Sequence, residues 1–359
     1  MPVKLRPQPR ILVTRTDRIG DLVLSTPVFR ELRKKFPKAY LACMTFLENR
    51  EIVQGNPDLN QVILYDKKGS ERGLWGNWRF ARRLAREKFD AVIHLHSTNR
   101  VHLVAWLAGI PARVGWKRKC AWTLTHARED IKREGKKHEA EYNFDLLEFL
   151  GVSCPSELIT HFPLSDRARR SLEELCRHLK LGNDRPWIVL GPGASCPSKR
   201  WPAEKFSNLI DRLNQTYQAH FILIGARRDR ELAAGIQTMT SVPVFDLTGR
   251  LSLSMLGWLM KEASLLISND SGPVHVASAV GTPVISIFGR KQGGLSPSRW
   301  KPLGRNSAVV WKDAGCTECL AHRCQKHFQC LEAVTVEDVM TEAARFCDWL
   351  KPKERAAHR

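Results

Sequence analysis

The sequence has no uninterrupted apolar run close to the roughly 20 residues that a membrane-spanning helix requires. Its first ten residues, MPVKLRPQPR, also lack the apolar core of a secretory signal peptide. These two absences argue against a membrane-spanning or an exported protein. We therefore expect the chain to work in the cytoplasm.

Acidic residues are scarce relative to basic ones, with 37 Asp and Glu against 57 Lys and Arg and a formal net charge of +20. By sequence, the first 150 residues hold 29 basic and 17 acidic side chains, so +12 of this charge lies in that part of the chain. Such an excess favours polyanionic partners, namely nucleic acid, an anionic membrane surface or phosphorylated substrates. Charge alone does not choose among them.

The length of 359 residues exceeds what one hydrophobic core usually supports, and 43% of the residues are apolar, so two globular domains are expected. Strand-like and helix-like segments alternate twice along the chain, with a break near residues 183–186. This alternation predicts an α/β protein of two Rossmann-like, doubly wound domains, 1–182 and 183–359, that face each other across a deep cleft. A C-terminal helix at about 335–350 is expected to pack back toward the N-terminal domain.

The first domain lacks a GxGxxG fingerprint, but it begins with a strand, a glycine-containing loop and a helix predicted at 22–35. The loop reads RTDRIGD and contains Arg18, Gly20 and Asp21. A loop in this position often approaches a ligand closely. Asp21 is therefore either a site residue or an acid that stabilises the start of the helix.

The second domain begins in the same way, with the loop GPGASCPSKRWP after a strand at 187–190. Ser195 and Lys199 in this loop can donate hydrogen bonds to an anion, although Lys199 could also be a surface lysine. Asp229 follows the next strand, where an acid can accept hydrogen bonds from ribose hydroxyls.

The stretch 268–289, SNDSGPVHVASAVGTPVISIFG, predicts the end of a strand, a helix at about 273–280 and a second strand at 284–288. Because this helix starts at the carboxyl end of a strand, the N–H groups of Ser271 and Gly272 are expected to form an anion site. Asp270 lies in the turn, and His275 lies one helical turn past Ser271 on the same face. An ordinary turn with a packed histidine is the alternative interpretation.

His96, Asn99 and Arg100 lie where a strand predicted at 90–95 leaves the N-terminal sheet, so we expect them to face the same crevice. The spacing of His94 and His96 also suits a metal site, but alternate residues share a face in any strand. A basic amphipathic helix predicted at about 75–88 carries four arginines. Such a face is usually solvated, although it could also contact phosphates. Residues 117–137 are predicted to be a polar, basic loop region.

Four of the ten cysteines are clustered, with two, four and five residues between successive members: Cys316, Cys319, Cys324 and Cys330. This spacing suits a structural zinc site or an iron–sulfur cluster. A disulfide clip or reduced packing cysteines are also compatible with it.

Three motifs, RTDRIGDLVLSTP at 15–27, KRWP at 199–202 and NDSGPVHVASAVGTPVISIFG at 269–289, resemble glycosyltransferase family 9, the ADP-heptose:lipopolysaccharide heptosyltransferases. The resemblance covers about residues 10–345. It implies a GT-B fold that holds the acceptor in the N-terminal domain and the nucleotide sugar in the C-terminal domain. It also implies an inverting transfer that requires no metal or other cofactor.

At the matching positions, Asp21 looks like the family's catalytic base and Lys199 like its diphosphate-binding lysine. Asp229 matches a ribose-binding acid that is more usually Glu. His94 and His96 depart from the family, where an acid and a glutamine are common. The remaining expected site residues are Ser195, Asp270, Ser271, Gly272 and His275 for the donor, and Arg18, Gly20, His96, Asn99 and Arg100 for the acceptor.

The leading hypothesis is therefore transfer of a heptose from ADP-heptose to the lipid A-linked inner core of lipopolysaccharide. We expect a monomer that is bound peripherally to the inner face of the cytoplasmic membrane and has no nucleic-acid partner. A base and a diphosphate site in different domains would require the cleft to close. Two alternatives stay open: a transferase of the same fold that uses another nucleotide sugar for a surface glycan, and a nucleic-acid-binding protein without enzymatic activity.

Overall fold

The structure is a computed structural model that describes residues 2–346 and 348. The chain divides into two compact units, of which the first ends at Pro163 and the second begins at Leu164. This division precedes the boundary predicted after residue 182, because the charged helix Asp166–His178 packs against the helix Leu253–Glu262 of the second unit. In this region Trp258 Nε1 donates a hydrogen bond to the carbonyl of Ser165 at 2.8 Å.

The first unit is built on a parallel six-stranded sheet in the order β3-β2-β1-β4-β5-β6. Its strands are β1 (Arg10–Thr14), β2 (Tyr40–Phe46), β3 (Gln61–Tyr65), β4 (Ala91–His94), β5 (Ala112–Trp116) and β6 (His126–Arg128). Its helices are α1 (Ile19–Val23), α2 (Thr26–Lys35), α3 (Arg50–Val53), α4 (Gly73–Arg86), α5 (Asn99–Leu107) and α6 (Glu139–Leu147).

Two details of the first unit differ from the sequence-based expectation. The single helix predicted at 22–35 is wrong: α1 ends at Val23, and α2 starts with Pro27 in its first turn. Proline lacks the N–H that a continuous helix would need at this point. The stretch 117–137, expected to be a loop, contributes β6, which pairs in parallel with β5 at the edge of the sheet.

The second unit repeats this architecture, with a parallel six-stranded sheet in the order β12-β11-β10-β7-β8-β9. Its strands are β7 (Trp187–Gly191), β8 (His220–Leu223), β9 (Val244–Asp246), β10 (Leu265–Asn269), β11 (Val284–Phe288) and β12 (Ser307–Trp311). Its helices are α7 (Asp166–His178), α8 (Ala203–Tyr217), α9 (Arg230–Met239), α10 (Leu253–Glu262), α11 (Gly272–Ala279), α12 (Pro297–Trp300), α13 (Gln329–Glu332) and α14 (Val336–Ala344).

The strand, helix and strand predicted within 268–289 are confirmed as β10, α11 and β11. Gly281 follows α11 with φ of +85°, a backbone conformation that a residue with a side chain rarely adopts. Strands β7, β10 and β11 are buried over their whole lengths. Strands that are buried on both faces need helices on both sides of the sheet.

The C-terminal helix is α14, which packs against α8 and β12 of the second unit. Residues 347, 349 and 350 of the predicted helix lie outside the described residues. Among the residues that the structure does describe, none of the helices has the length and apolar character that a membrane crossing demands.

Candidate active site

In each unit the chain leaves the two central strands toward opposite edges of the sheet. In the first unit β1 leads to β2 on one side, whereas β4 leads to β5 on the other, and β7 and β10 have the same arrangement in the second unit. Ligands of open α/β sheets bind at the carboxyl ends of the strands at such a point. The candidate site residues of each unit are therefore those that follow these four strands.

A buried arginine organises this edge of the first unit. Arg15 follows β1 directly, and its side chain is 2% exposed. Its guanidinium donates to Asp21 at 2.6 Å, to Asp17 at 2.9 Å and to Glu139 at 3.0 Å. Asn143 of α6 accepts a further hydrogen bond at 3.2 Å. Asp21, in the first turn of α1, is thus held by a fixed, charge-assisted contact.

The charges of this cluster do not cancel. Lys132 Nζ lies 2.8 Å from Glu139, so two cations face three carboxylates: those of Asp17, Asp21 and Glu139. Burial, assisted by the negative charge of Asp21, raises the pKa of Asp17 to about 8, although Arg15 opposes the shift. One bound proton would balance the charge of the cluster. The raised pKa makes Asp17 the carboxylate that is expected to bind it.

His96 joins the same cluster, with its Nδ1 atom 3.8 Å from Asp17. Burial lowers the pKa of His96 to about 4, and the charge of Arg15 adds to the effect, so the ring is neutral at neutral pH. His94 is separated from it, because its ring is fully buried against His102 and its Nδ1 lies 2.9 Å from Thr14 Oγ1. The two histidines therefore do not act as a pair.

The other acceptor residues expected from the sequence lie near this edge, outside the hydrogen bonds that Arg15 makes. Arg18 is exposed at the start of α1, and Gly20 is buried within that helix. Asn99 and Arg100 are exposed in the first turn of α5. Arg100 lies close enough to Tyr65, at the end of β3, to influence its phenol.

A second charged cluster lies at the corresponding edge of the second unit. The carboxylate of Asp270, just after β10, contacts Lys199 Nζ at 2.7 Å and Arg290 at 2.8 Å. All three side chains are largely buried, with exposed fractions of 5% for Asp270, 13% for Lys199 and 4% for Arg290. Two cations thus share one carboxylate, which leaves a net positive charge beside the first turn of α11.

The KRWP motif has a structural explanation in this cluster. Trp201 is fully buried, and its indole N–H donates to the carbonyl of Val334 at 3.0 Å. Asn269 at the end of β10 accepts from the backbone N–H of Trp201 and donates to the carbonyl of Pro192. The loop is thereby fastened at both ends, and Lys199 is directed toward Asp270.

The first turn of α11 supplies unsatisfied backbone donors. Ser271 is the N-cap residue but makes no side-chain capping bond, and its Oγ lies 3.2 Å from Ser268 Oγ. Gly272 begins the helix and is partly exposed, whereas His275 is buried at 4% exposure. The helix N-terminus and the two neighbouring cations favour an anion here.

The two remaining expected donor residues, Asp229 and Ser195, make their contacts outside this charged cluster. Asp229 is buried, and its carboxylate accepts a hydrogen bond from the N–H of Ala226 at 2.9 Å, within the turn that precedes α9. This carboxylate also packs against Gly193 in the loop that carries Lys199. Ser195 is exposed in that loop and makes only a long contact, 3.9 Å, to Cys196. A ribose contact by Asp229 stays a prediction.

The four clustered cysteines adjoin the second charged cluster. Their thiols are free and, with Arg290 and Ser198, line a cavity of about 220 Å³. Ser198 Oγ also lies 3.0 Å from His322 Nδ1. Within residues 2–346 and 348, no three His, Cys, Asp or Glu side chains are arranged to hold a metal ion. A structural metal site, a disulfide clip and reduced packing cysteines all stay predictions for this cluster.

Among the residues of these clusters that sequence reasoning missed are Arg15, Glu139 and Arg290. Arg15 and Arg290 each come directly after, or one residue past, a buried strand, as Asp270 does. That position was the available signal for both arginines. Glu139 had no such signal, because it lies 124 residues after Arg15 and only the fold brings them together.

Comparisons with known proteins agree on one family. Residues 77–329 match the model of glycosyltransferase family 9 (heptosyltransferase). Lipopolysaccharide heptosyltransferase 3 of Escherichia coli is 29% identical over 310 residues, which are 81% of this chain and 86% of that protein. Lipopolysaccharide heptosyltransferase 2 of Escherichia coli strain K12 is 24% identical over 312 residues, 84% of this chain and 87% of that protein.

Solved structures show the same similarity in three dimensions. A family 9 glycosyltransferase from Veillonella parvula superposes with a TM-score of 0.86 and 25% identity, covering 96% of this chain and 99% of that one. The Escherichia coli ADP-heptose LPS heptosyltransferase II superposes with a TM-score of 0.77 and 23% identity, covering 94% and 98%. Because the family model spans most of the chain and both sheets match, the chain belongs to glycosyltransferase family 9, the heptosyltransferase family, and is a glycosyltransferase of the GT-B fold class that its motifs predicted.

Proposed function

We propose that the chain is an inverting, metal-independent glycosyltransferase that moves a heptose from ADP-heptose to the inner core of lipopolysaccharide. The reaction would take place at the inner face of the cytoplasmic membrane. The observation that carries the proposal is the pair of cations, Lys199 and Arg290, that share Asp270 beside the start of α11. Similarity to lipopolysaccharide heptosyltransferases supports the choice of heptose and of lipopolysaccharide.

In this proposal the second unit binds the nucleotide sugar. Lys199, Arg290 and the N–H groups at the start of α11 supply positive charge for the diphosphate. Negative charge on the departing ADP grows as its bond to the sugar breaks, so these groups stabilise the transition state more than the bound substrate. They would do the work that a divalent cation does in other nucleotide-sugar enzymes.

The first unit would bind the acceptor and supply the base. A hydroxyl of the acceptor sugar attacks the anomeric carbon from the face opposite the diphosphate, and the configuration at that carbon inverts. Asp21 accepts the hydroxyl proton as the new bond forms, while ADP leaves with the electron pair of the broken bond. Arg15 would hold the Asp21 carboxylate in one orientation throughout, because Glu139 and Asn143 fix the guanidinium.

A donor panel tests the proposal. Purified protein is incubated with isolated lipopolysaccharide core acceptors and, separately, with ADP-heptose, with nucleotide-activated hexoses and with a nucleotide-activated N-acetylhexosamine, in buffer containing a chelator. Mass spectrometry should show the addition of one heptose with ADP-heptose only. A mass increase of one hexose or N-acetylhexosamine would show that the donor is another nucleotide sugar. Transfer that needed added Mg²⁺ would overturn metal independence.

A further inference from the structure

The outward face of α4 exposes large apolar side chains in its first two turns. Leu74 is 89% exposed, Trp75 is 78% exposed and Trp78 is 43% exposed. Single exposed apolar residues are common on protein surfaces. Three within five residues form an apolar patch, which is typical of an interaction site. We use the name α4 surface for these three residues together with Arg79 and Arg82.

The opposite face of the same helix is fully used by the core. Phe80, Ala81 and Leu84 are buried and pack in the cluster that also contains Val101 and Val104 of α5. The helix is therefore fixed in orientation, and its exposed aromatic residues cannot turn inward without unfolding it. Their exposure is therefore fixed by the packing of α4 in the first unit.

The α4 surface is strongly basic. Helix α4 contains four arginines and no acidic residue. Arg79 and Arg82 form no ion pair with any residue that the structure describes, and the Arg82 guanidinium lies 5.0 Å from the centre of the Trp78 ring. Tryptophan and leucine beside unpaired arginines are typical of helices that lie in the interface of an anionic membrane.

The α4 surface starts at the same edge of the sheet as the Arg15 cluster. Tyr65 ends β3, and its hydroxyl donates to Asn77 in the second turn of α4 at 2.5 Å. The start of α4 is thus anchored at the carboxyl end of a strand, the edge at which Arg15 and Asp21 follow β1. A partner that contacted the first two turns of α4 would lie near the edge that carries the proposed base.

We infer that the α4 surface docks on an anionic lipid bilayer, with Leu74, Trp75 and Trp78 at the level of the headgroups and the arginines on lipid phosphates. The inference rests on the proposed function in one respect, because docking on a bilayer would bring the enzyme to a lipid-linked acceptor. Single-stranded nucleic acid also binds aromatic and basic surfaces. Leu74 favours lipid, because an exposed aliphatic side chain gains little from a base but gains from the acyl boundary.

Vesicle flotation tests the inference with the full-length protein. The probes are vesicles of phosphatidylcholine alone and vesicles of phosphatidylcholine mixed with phosphatidylglycerol. Wild-type protein should bind the anionic vesicles, and the Arg79→Gln/Arg82→Gln variant should bind them about fivefold less for each charge removed. The Leu74→Ser/Trp75→Ser variant should bind at least about tenfold less, because it loses the apolar contact.

Matched controls separate the surface from general effects of charge and aromatic content. Arg167→Gln/Arg170→Gln removes two exposed arginines from α7 of the second unit, and Trp122→Ser removes a tryptophan that is 66% exposed in the first unit. Both should bind the anionic vesicles within about twofold of wild type, because neither variant changes a residue of the α4 surface. Melting temperatures near the wild-type value would show that the surface variants fold.

Turnover gives a second, independent readout. Both α4 variants should lose transfer to acceptor embedded in anionic vesicles and keep wild-type transfer to delipidated core oligosaccharide. Vesicle binding needs no sugar donor, so the docking result stands or falls separately from the proposed reaction. Wild-type vesicle binding by both α4 variants would overturn the inference. So would loss of oligonucleotide binding, or of self-association, in these variants while vesicle binding persisted.

Discussion

Asp21 is the residue on which the proposed mechanism depends most. Its carboxylate is 14% exposed and lies 2.6 Å from the Arg15 guanidinium. A carboxylate in such a contact is held in position yet keeps its second oxygen for a substrate proton. An acid that served only the start of α1 would contribute about 0.3 to 1 kcal/mol to stability and nothing to the rate.

We expect Asp21→Asn to lower turnover by about 10²- to 10⁴-fold or more, because the amide keeps the shape of the side chain and cannot act as a base. ADP binding should be unchanged, since its proposed site lies in the second unit. Single-turnover kinetics and melting temperature are measured on one preparation. Asp90→Asn is the control, because Asp90 also pairs with an arginine, Arg6, at 2.8 Å in the first unit. A destabilised Asp21→Asn protein with normal turnover would show that the base is misassigned.

Asp17 gives a prediction about pH. Burial raises its pKa in the folded protein to about 8, well above the value of about 3.9 expected in the unfolded chain. The folded state therefore holds a proton that the unfolded state releases. This contribution to stability is fully present below the unfolded pKa and is lost as the pH rises through about 8.

Melting curves across this pH range test the assignment. The wild-type melting temperature should fall relative to that of Asp17→Asn between about pH 4 and pH 8, because the amide carries no titrating proton. Above the folded pKa the difference should become constant. Parallel curves for the two proteins over the whole range would mean that Asp17 is ionised in the folded state and that the excess charge is balanced elsewhere.

Lys199 is the most exposed of the three charged groups at the start of α11. We expect Lys199→Ala to weaken ADP binding by about tenfold to a hundredfold, the range for losing a hydrogen bond to a charged group. Turnover should fall as well, since the departing diphosphate loses a cation. Calorimetry gives the ADP affinity, and Lys261→Ala removes the same charge from an exposed position on α10 as the control. Equal ADP affinities for both variants and wild type would show that Lys199 pairs with Asp270 without binding the diphosphate.

At the scale of elements, the loop after β7 and the turn before α9 lock together. Gly193 packs so closely against this turn that a Cβ atom there would lie 2.6 Å from Oδ2 of Asp229. That oxygen accepts the hydrogen bond from Ala226 at 2.9 Å. A glycine is required here by close approach, and the same loop carries Lys199.

We therefore expect Gly193→Ala to destabilise the protein by about 1 to 3 kcal/mol, the usual range for overpacking, and to weaken ADP binding by displacing the loop. Gly235→Ala is the matched control, because a Cβ atom at Gly235 in α9 would meet nothing within 4 Å. That variant should be more stable by about 0.5 to 1 kcal/mol, since glycine is unfavourable inside a helix. Urea denaturation and calorimetry measure both variants. A neutral Gly193→Ala would show that the turn can move aside.

At the scale of the whole molecule, the net charge of +20 bears on the acceptor rather than on the fold. The proposed acceptor, the core of lipopolysaccharide, carries phosphates and acidic sugars, so long-range attraction should raise its rate of encounter with the basic first 150 residues. If the charge served only solubility, the rate of encounter with the acceptor would not depend on it.

We expect the KM for a phosphorylated acceptor to rise severalfold between about 10 mM and 150 mM salt, where the screening length falls from about 30 Å to about 8 Å. The kcat should change little, because the chemical step uses contacts within the site. A dephosphorylated acceptor provides the control in steady-state kinetics. Its KM should depend much less on salt. Equal salt dependence for both acceptors would assign the charge to another partner.

Much of the architecture followed from local patterns in the sequence. Apolar strands, glycine-containing loops and helix starts alternate twice, and each pattern acts over a few residues, so β10, α11 and β11 were predicted almost to the residue. The break between α1 and α2, at residues 24–25 just before Pro27, was missed, because the apolar positions continue across it. The boundary between the units was placed too late, because a charged helix such as α7 resembles a linker until its packing partner is known.

Local patterns in the sequence were enough to predict the family, the two-sheet fold and the placement of Asp21, Lys199 and Asp270 in the segments that follow β1, β7 and β10. Which charges these residues meet depends on tertiary packing. Arg15 finds Glu139 from α6, and Asp270 finds Arg290 from the end of β11. Such pairs are distant along the chain and become neighbours when parallel strands end at one edge of a sheet, so the strength and direction of each charge effect depend on packing that no local pattern encodes.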